Sequence, residues 1–283
     1  MPGTLYVVAT PIGNLEDITL RALRVLREVQ LIAAEDTRRT AKLLQHYSIG
    51  TPATSVREHN EARQTPHLIQ RLLAGESVAL VSDAGTPLVS DPGARLVRAA
   101  REAGVPVVAV PGASAVLTAL AASGFEADQF TFVGFPPRKA TALTRWIQDE
   151  LATAVRPVVF FEAPHRIRNT LTILNQVLGD RPILVGRELT KRFESSVLRP
   201  ISVQLGGLSD PKGEFTVVVP PSVRQAVTVG APPDPAKLAC EVGELTKNGE
   251  MSVRAAAKVV ATRYGLTPNQ VYSTVKVRKR LGE

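Results

Sequence analysis

Two short loops carry the residue types best suited to binding a ligand. Each follows an apolar run that predicts a buried strand: Val78–Val81 leads into Ser82–Pro87, and Val105–Val110 leads into Pro111–Ser114. In an open α/β sheet, ligands bind outside the carboxyl ends of strands, where loops expose backbone N–H groups and glycine allows close approach. Neither loop has the spacing G-x-G-x-x-G or G-x-x-x-x-G-K-[ST]. The pair therefore predicts a nucleotide-like ligand other than a dinucleotide or a nucleoside triphosphate.

The pattern of apolar runs predicts the elements that position these loops. Within residues 1–112, strands alternate with amphipathic helices, which is typical of an α/β fold with a doubly wound, mostly parallel sheet. We expect the two loops to follow adjacent strands of that sheet. The alternative is that their glycines and prolines only shape tight turns. Residues 113–225 are richer in strands, which predicts a second α/β domain with a mixed sheet.

Composition excludes several classes of protein. The chain has 283 residues, of which 44% are hydrophobic and 21% are charged, as in an ordinary globular protein. No apolar run approaches the roughly 18–20 residues that span a bilayer, and the first residues lack the basic segment of a signal peptide. Cys240 is the single cysteine, which excludes an internal disulfide. We therefore expect a cytoplasmic protein without a membrane partner.

The positive charge is concentrated at the C-terminus. The formal net charge is +8, and residues 251–283 hold seven lysines and arginines against one glutamate, which leaves +2 for the rest. The proline-rich segment 231–235 precedes three predicted helices near 234–247, 252–263 and 267–281, in a layout that fits a helix-turn-helix appendage over 231–283. A basic appendage on a nearly neutral body indicates a polyanionic partner such as RNA. The alternative is a solvated helical bundle.

Eight motifs stand in a characteristic order along the chain: Leu5–Thr19, Ala34–Arg38, His59–Glu61, Ser82–Gly93, Pro111–Ser114, Phe160–Arg166, Gly186–Lys191 and Gly213–Phe215. With these motifs the chain resembles the tetrapyrrole methylase family of S-adenosylmethionine-dependent methyltransferases. Members that modify tetrapyrroles usually have a Gly-Asp-Pro turn at the position of Ser82–Pro87. The longer loop here is similar to that of the RNA-modifying branch. Over essentially its whole length the chain is most similar to the group that methylates small-subunit ribosomal RNA, which implies 2′-O-methylation of a cytidine ribose. The resemblance also implies a homodimer.

The family resemblance implies that S-adenosylmethionine lies folded in a cleft between the two α/β halves. Its contacts then come from the loops that follow the strands of the first half and from motifs of the second half. The residues to which this role is carried over are Pro11, Asp83, Ala84, Gly85, Thr86, Pro111, Gly112, Ala113, Ser114, Phe161, Glu162, Glu188, Leu189, Glu214 and Phe215.

The chemistry of methyl transfer suggests three catalytic candidates. A ribose hydroxyl must lose its proton as the new bond forms, so a carboxylate or lysine that accepts it, or a cation that lowers its pKa, is expected. Asp36, Glu162 and Lys191 are the candidates near the cleft; Asp36 could instead cap a helix, and Lys191 could contact phosphate. Methylation at pyrimidine C5 commonly needs a cysteine nucleophile. Cys240 lies far from every cleft motif in the sequence, which favours an oxygen or nitrogen acceptor. No metal site is predicted.

RNA contacts are expected at the cleft mouth and in the basic tail, where cations contact phosphates without selecting a base. The predicted residues are Arg166, Lys191, Arg192, Lys276, Arg278, Lys279 and Arg280. Two other functions stay open. A precorrin-type tetrapyrrole methyltransferase is disfavoured by the basic tail, and a non-catalytic RNA-binding assembly factor is disfavoured by the two intact loops.

Overall fold

The computed structural model describes residues 1–208, 211–222, 235–246, 251–264, 268, 271–273 and 275. The chain divides into two compact units, Met1–Pro221 and Ser222–Glu283. Among the described residues, every helix is too short or too polar to span a lipid bilayer.

A parallel sheet forms the first half of the first unit. Its strands are β1 (Leu5–Val8), β2 (Leu31–Ala34), β3 (Ala53–Ser55), β4 (Val78–Val81) and β5 (Val107–Val110). Their order in the sheet is β3-β2-β4-β1-β5, and every neighbouring pair is parallel. The predicted parallel sheet is therefore confirmed.

Helices cover both faces of this sheet. They are α1 (Leu20–Glu28), α2 (Thr37–His46), α3 (Glu58–Leu73) and α4 (Ala94–Glu102). Because successive strand side chains point to opposite faces, β2 places Ile32 and Ala34 in the core under α1 and α2. Leu31 and Ala33 enter the core under α3 and α4. Every residue of β2 and β4 is buried, as expected for a parallel sheet covered on both sides.

A mixed sheet forms the second half of the unit. Its strands are β6 (Thr131–Phe132), β7 (Val158–Glu162), β8 (Pro182–Arg187), β9 (Ser195–Pro200) and β10 (Phe215–Val219). The order is β6-β7-β10-β8-β9; β6 and β7 are parallel, and the other pairs are antiparallel. This confirms the predicted mixed sheet.

Four helices pack on the second sheet. Three cover one face: α6 (Ala140–Trp146), which continues into a π-helical turn at Ile147–Leu151, α7 (Pro164–Leu178) and α8 (Ile201–Gly207). The fourth, α5 (Ala115–Ser123), follows β5 in the chain but packs on the opposite face. There Val116 and Leu120 share a core with Val159 of β7 and with Ile12, which follows β1. This shared core ties the two halves together beside the carboxyl edge of the first sheet.

Some sequence-based expectations differ from the structure in detail. The strands that precede the two ligand loops are not adjacent, because β1 lies between β4 and β5. The sequence run 130–134 predicts a strand, but β6 covers only Thr131–Phe132, since Gly134 has φ +66° and leaves the extended conformation. Helix α8 was not predicted because it contains two glycines, Gly206 and Gly207, which are poor helix formers.

The second unit contains two helices with bounds in the described residues, α9 (Pro235–Thr246) and α10 (Val253–Tyr264). Leu238 of α9 and Val260 of α10 belong to one small apolar core. Serine is a favoured cap at the start of a helix, and Ser252 precedes α10 in the sequence, which predicts such a cap. Its hydroxyl accepts a backbone N–H of the first turn of α10 at 3.3 Å, which confirms this prediction. Most of the predicted third helix, 267–281, lies outside the described residues.

Candidate active site

A cavity of about 360 Å³ lies between the loops of the first sheet and strands β7 and β10 of the second. Sites for small molecules measure roughly 300–1,000 Å³. The predicted cofactor residues that line it are Ala84, Gly85, Thr86, Ser114, Phe161, Glu162, Glu214 and Phe215. The other predicted cofactor residues are outside this lining: Pro11, Asp83, Pro111, Gly112, Ala113, Glu188 and Leu189.

The loop after β4 is shaped by backbone contacts with the loop after β1. Thr10 and Gly85 exchange two backbone hydrogen bonds of 2.8 and 3.0 Å, and the Thr10 hydroxyl donates to the carbonyl of Ser82 at 3.2 Å. Gly85 has φ +79°, a conformation that favours glycine. Leu88 and Ser90 also have positive φ, 74° and 66°, which is uncommon for residues with a side chain. The loop is thus held in a strained shape at the cavity wall.

The loop after β5 approaches the same wall. A Cβ added to Gly112 would lie 2.9 Å from the Cβ of Ala9, so only glycine fits there without a shift. Ser114 begins α5 and its hydroxyl accepts a backbone N–H of the first turn. The hydroxyl of Thr86 reaches the carbonyl of Ala113 at 3.4 Å. The two loops therefore meet although β1 separates their strands.

Asp91 is a cavity residue that sequence reasoning did not single out. Burial and, to a lesser extent, the negative charges of Glu35 and Asp83 raise the pKa of Asp91 to about 6. A hydrogen bond with Ser82 acts in the opposite direction and lowers the pKa. The signal was present, because the Ser-Asp pair of the β4 loop recurs eight residues later at Ser90 and Asp91. The cavity thus contains a carboxylate that is ionised at neutral pH and protonated in mild acid.

Asp36 begins α2 as its cap. Its carboxylate accepts the backbone N–H of Arg38 at 2.9 Å and contacts the guanidinium groups of Arg38 and Arg57 at 2.7 and 3.5 Å. These contacts, first of all the side-chain hydrogen bond from Arg38, hold the pKa of Asp36 well below its usual range. A carboxylate with so low a pKa is a weak general base at neutral pH. Asp83 in turn accepts the backbone N–H of Asp36 at 2.9 Å and pairs with Arg39 at 3.5 Å.

Glu162 ends β7 at the cavity, but its carboxylate is occupied by protein donors. It accepts the backbone N–H of Ala163 at 2.8 Å and the hydroxyl of Thr170 at 2.6 Å, and it lies 3.3 Å from Nε of Arg166. Arg166 directs its other donors to the backbone carbonyls of the segment 136–137, at 2.7 and 3.0 Å. The pair therefore connects β7 to the loop that follows β6.

Lys191 bridges two carboxylates beside the cavity. Its Nζ lies 2.9 Å from Oε1 of Glu188 and 2.9 Å from Oε2 of Glu214. Partial burial disfavours its charge, but the two hydrogen bonds outweigh burial and raise the pKa of Lys191. Its stem also packs where a Cβ on Gly13 would lie. Arg192 is exposed, with its guanidinium 5.6 Å from the centre of the Phe193 ring.

Comparison with known proteins decides the family. The sequence profile described as Tetrapyrrole (Corrin/Porphyrin) Methylases matches residues 4–202. The chain belongs to the tetrapyrrole methylase family. This confirms the predicted S-adenosylmethionine-dependent methyltransferase and its fold. A solved diphthine synthase in the same fold covers 77% of this chain and 89% of its own, with a TM-score of 0.60 at 16% identity.

Two named relatives resemble the chain over most of its length. A protein of Pasteurella multocida (strain Pm70) named "Ribosomal RNA small subunit methyltransferase I" is 42% identical, over 96% of both chains. One of Pseudomonas aeruginosa with the same name is 50% identical over 71% of both.

The predicted tail contacts Lys276, Arg278, Lys279 and Arg280 lie outside the described residues.

Proposed function

We propose that the chain methylates the 2′-oxygen of a cytidine ribose in small-subunit ribosomal RNA. The observation that carries the proposal is the cavity at the two predicted loops, in a chain whose relatives are named as small-subunit ribosomal RNA methyltransferases. The names support an RNA substrate. The ribose acceptor is inferred from the resemblance of the whole chain to the group that methylates small-subunit ribosomal RNA.

The cavity is suited to S-adenosylmethionine, which supplies an activated methyl group on a cationic sulfur. The start of α5 at Ser114 offers a helix N-terminus, which favours a carboxylate. Asp91 offers a negative charge to a cation in the same cavity. Phe161 offers an aromatic surface. We therefore propose the sequence-predicted residues as the cofactor site and add Asp91 to them.

The catalytic contribution of the chain is chiefly positioning. Asp36 is occupied as a helix cap, Glu162 as a loop anchor and Lys191 as a bridge between carboxylates. We propose that Lys191 remains a cation at the cleft mouth and that, with Arg192, it faces RNA phosphate. The geometry does not favour any of the three as the group that takes the ribose proton.

The basic tail is proposed as the second RNA contact. We expect removal of 231–283 to weaken RNA binding and to make the RNA affinity less dependent on salt concentration. A protein that contacts fewer phosphates releases fewer counterions from the RNA when it binds. Cofactor affinity should stay unchanged. RNA affinity that is unaltered by the truncation at every salt concentration would exclude this role. The homodimer is proposed on the family resemblance, and the cytoplasmic location on the composition of the chain. The domain limits 1–112, 113–225 and 231–283 are proposed on the pattern of apolar runs and the proline-rich segment 231–235.

The deciding experiment is methyl transfer from labelled S-adenosylmethionine. The protein is incubated with undermethylated small ribosomal subunits or with their naked RNA, and the nucleosides are then separated. Label on a ribose 2′-oxygen of cytidine is expected. Label on a base would contradict the 2′-O assignment, and cofactor binding without any transfer to RNA would favour a small-molecule acceptor.

A further inference from the structure

Phe135 is an aromatic side chain exposed at the wall of the cavity. Its side chain is 55% exposed although it lines the site. On its inner side it packs at 5.6 Å, between ring centres, against Phe161, which itself packs at 4.9 Å against Phe132. Phe215, which also lines the cavity, is buried. The rings therefore form a row from the second sheet to solvent, and Phe135 presents an uncovered surface at the outer end.

The loop that carries this ring is anchored from two directions. Arg166 donates to two successive carbonyls of the segment Gly134–Pro137, at 2.7 and 3.0 Å, and is itself fixed on the buried carboxylate of Glu162. The backbone N–H of Phe161 donates to the carbonyl of Gly134 at 2.9 Å. A ring on a rigid loop loses little conformational entropy when a ligand stacks on it. The structure thus holds an aromatic surface in place before any ligand arrives.

Charge next to the ring favours nucleic acid as the ligand. Arg138 and Lys139 follow Phe135 after two prolines, and both are exposed. Aromatic side chains that stack on bases, beside cations that contact the backbone, are the usual means of binding single-stranded RNA. Enzymes that modify a base take its nucleotide out of the stack, and a nucleotide whose ribose enters this cavity can leave its stack in the same way. An exposed aromatic ring at the cavity wall can then stack on the displaced base in place of the neighbouring base of the RNA.

We propose that Phe135 stacks on the base of the nucleotide that is methylated, and so holds its ribose at the cavity. This inference rests on the proposed function, because it requires an RNA substrate. It assigns a substrate-positioning role to Phe135. Arg166 and Glu162 then act through the loop as positioning residues, which explains why both are directed at protein groups.

The test compares Phe135→Leu with Phe135→Trp, and uses Phe130→Leu as a matched control. Phe130 is 36% exposed but lies outside the cavity lining. Phe135→Leu should lower kcat/KM for undermethylated subunits or their RNA by roughly 10- to 100-fold, the usual cost of a lost base stack. Its Kd for S-adenosylmethionine by calorimetry should change far less than kcat/KM, because Phe161 and the loops proposed to bind the cofactor are retained. Phe135→Trp should keep most of the activity, and Phe130→Leu should match the wild type.

Fluorescence gives a second readout. In Phe135→Trp, RNA should quench the emission of the new indole by stacking on it, and the wild type, with only Trp146, supplies the background. Unchanged kcat/KM in Phe135→Leu would overturn the inference. So would a tenfold loss of cofactor affinity, which would assign the ring to the cofactor, or failure of Phe135→Trp to retain activity. Absence of methyl transfer by the wild type would instead overturn the proposed function, and the stacking role with it.

Discussion

The two sheets build the cavity in different ways. The first sheet contributes mainly backbone: the loops after β4 and β5 are shaped by Gly85 and Gly112 and are joined through the contact of Thr86 with Ala113. The second sheet contributes side chains fixed by charge, in the pair Glu162–Arg166 and in the bridge of Lys191. The first wall is defined by backbone conformation and backbone contacts, and the second by ion pairs between side chains.

This difference separates what can be predicted from what cannot. A glycine in a tight turn signals its role by its type, because glycine adopts a positive φ without the steric cost that a side chain imposes. A charged residue in a cleft motif has the same type whether it performs chemistry or holds a loop. Only its partners distinguish the two roles, and those partners are unknown until the chain is folded.

The largest effect is expected from Glu162→Ala. Removal of this buried carboxylate leaves the guanidinium of Arg166 without its partner, and breaking a buried pair typically costs roughly 3–5 kcal/mol in the free energy of unfolding. Glu28→Ala is the matched control, since Glu28 pairs with Arg24 at the same four-residue spacing on an exposed helix face. It should cost less than about 1 kcal/mol. Urea denaturation measures both; a stable but inactive Glu162→Ala would favour a catalytic role instead.

The backbone wall is tested by Gly85→Ala against Gly104→Ala. Both glycines have positive φ, +79° and +70°, so each substitution should cost about 1–2 kcal/mol of stability. A Cβ at Gly85 also meets Ile12 at 3.3 Å, whereas one at Gly104 meets no heavy atom within 4 Å. Gly85→Ala should therefore disturb the cavity loop and lower cofactor affinity, whereas Gly104→Ala should leave that affinity unchanged. Equal affinities of the two variants in calorimetry would contradict the role of this loop.

Most of the fold and the first wall of the site were predictable from the sequence. The continuous apolar runs of β2 and β4 predict strands covered on both faces, as in a parallel sheet. In the structure every residue of both strands is buried. The position of β1 between β4 and β5 was not predictable, because the sequence of a buried strand does not show which strands it pairs with. Phe135 was missed because an exposed aromatic has no periodic signal. Asp91 was missed although it repeats the Ser-Asp pair of the β4 loop, since its importance comes from burial near Glu35.

Asp91→Asn tests the one charged side chain that we assign to the first wall of the cavity. The rest of that wall is formed mainly by the backbone of the loops after β4 and β5. We expect wild-type affinity for S-adenosylmethionine to fall as the pH drops through about 6, where Asp91 gains a proton. The variant should bind roughly tenfold more weakly at pH 8, as on loss of a charged contact, and should lack this pH dependence. Calorimetry across pH 5–8 measures both. A parallel decline in variant and wild type would assign the titration to another group.

The same substitution should affect stability with a definite sign. The pKa of Asp91 is higher in the folded protein than the unfolded value of about 3.9, so its ionisation opposes folding as the pH rises from the unfolded to the folded value. Asp91→Asn removes this opposition. Without cofactor, the variant should therefore be more stable than the wild type at pH 8, and this advantage should shrink towards pH 4. Thermal unfolding at both pH values tests the difference.

The smallest effect is expected from Lys191→Met, which tests whether the charged wall performs acid–base chemistry. The raised pKa of Lys191 means that its contribution to stability is fully present below the unfolded value and is lost only as the pH rises through the higher folded value. Because Glu214 is 72% exposed, loss of the bridge should cost at most about 1 kcal/mol. A lysine that stays protonated cannot titrate as a base near neutrality. The dependence of the methyl-transfer rate on pH between 6 and 9 should therefore have the same shape in the variant and the wild type, and the variant should differ mainly in KM for RNA. If the variant instead lost a rise of the rate towards high pH, Lys191 would be the proton acceptor.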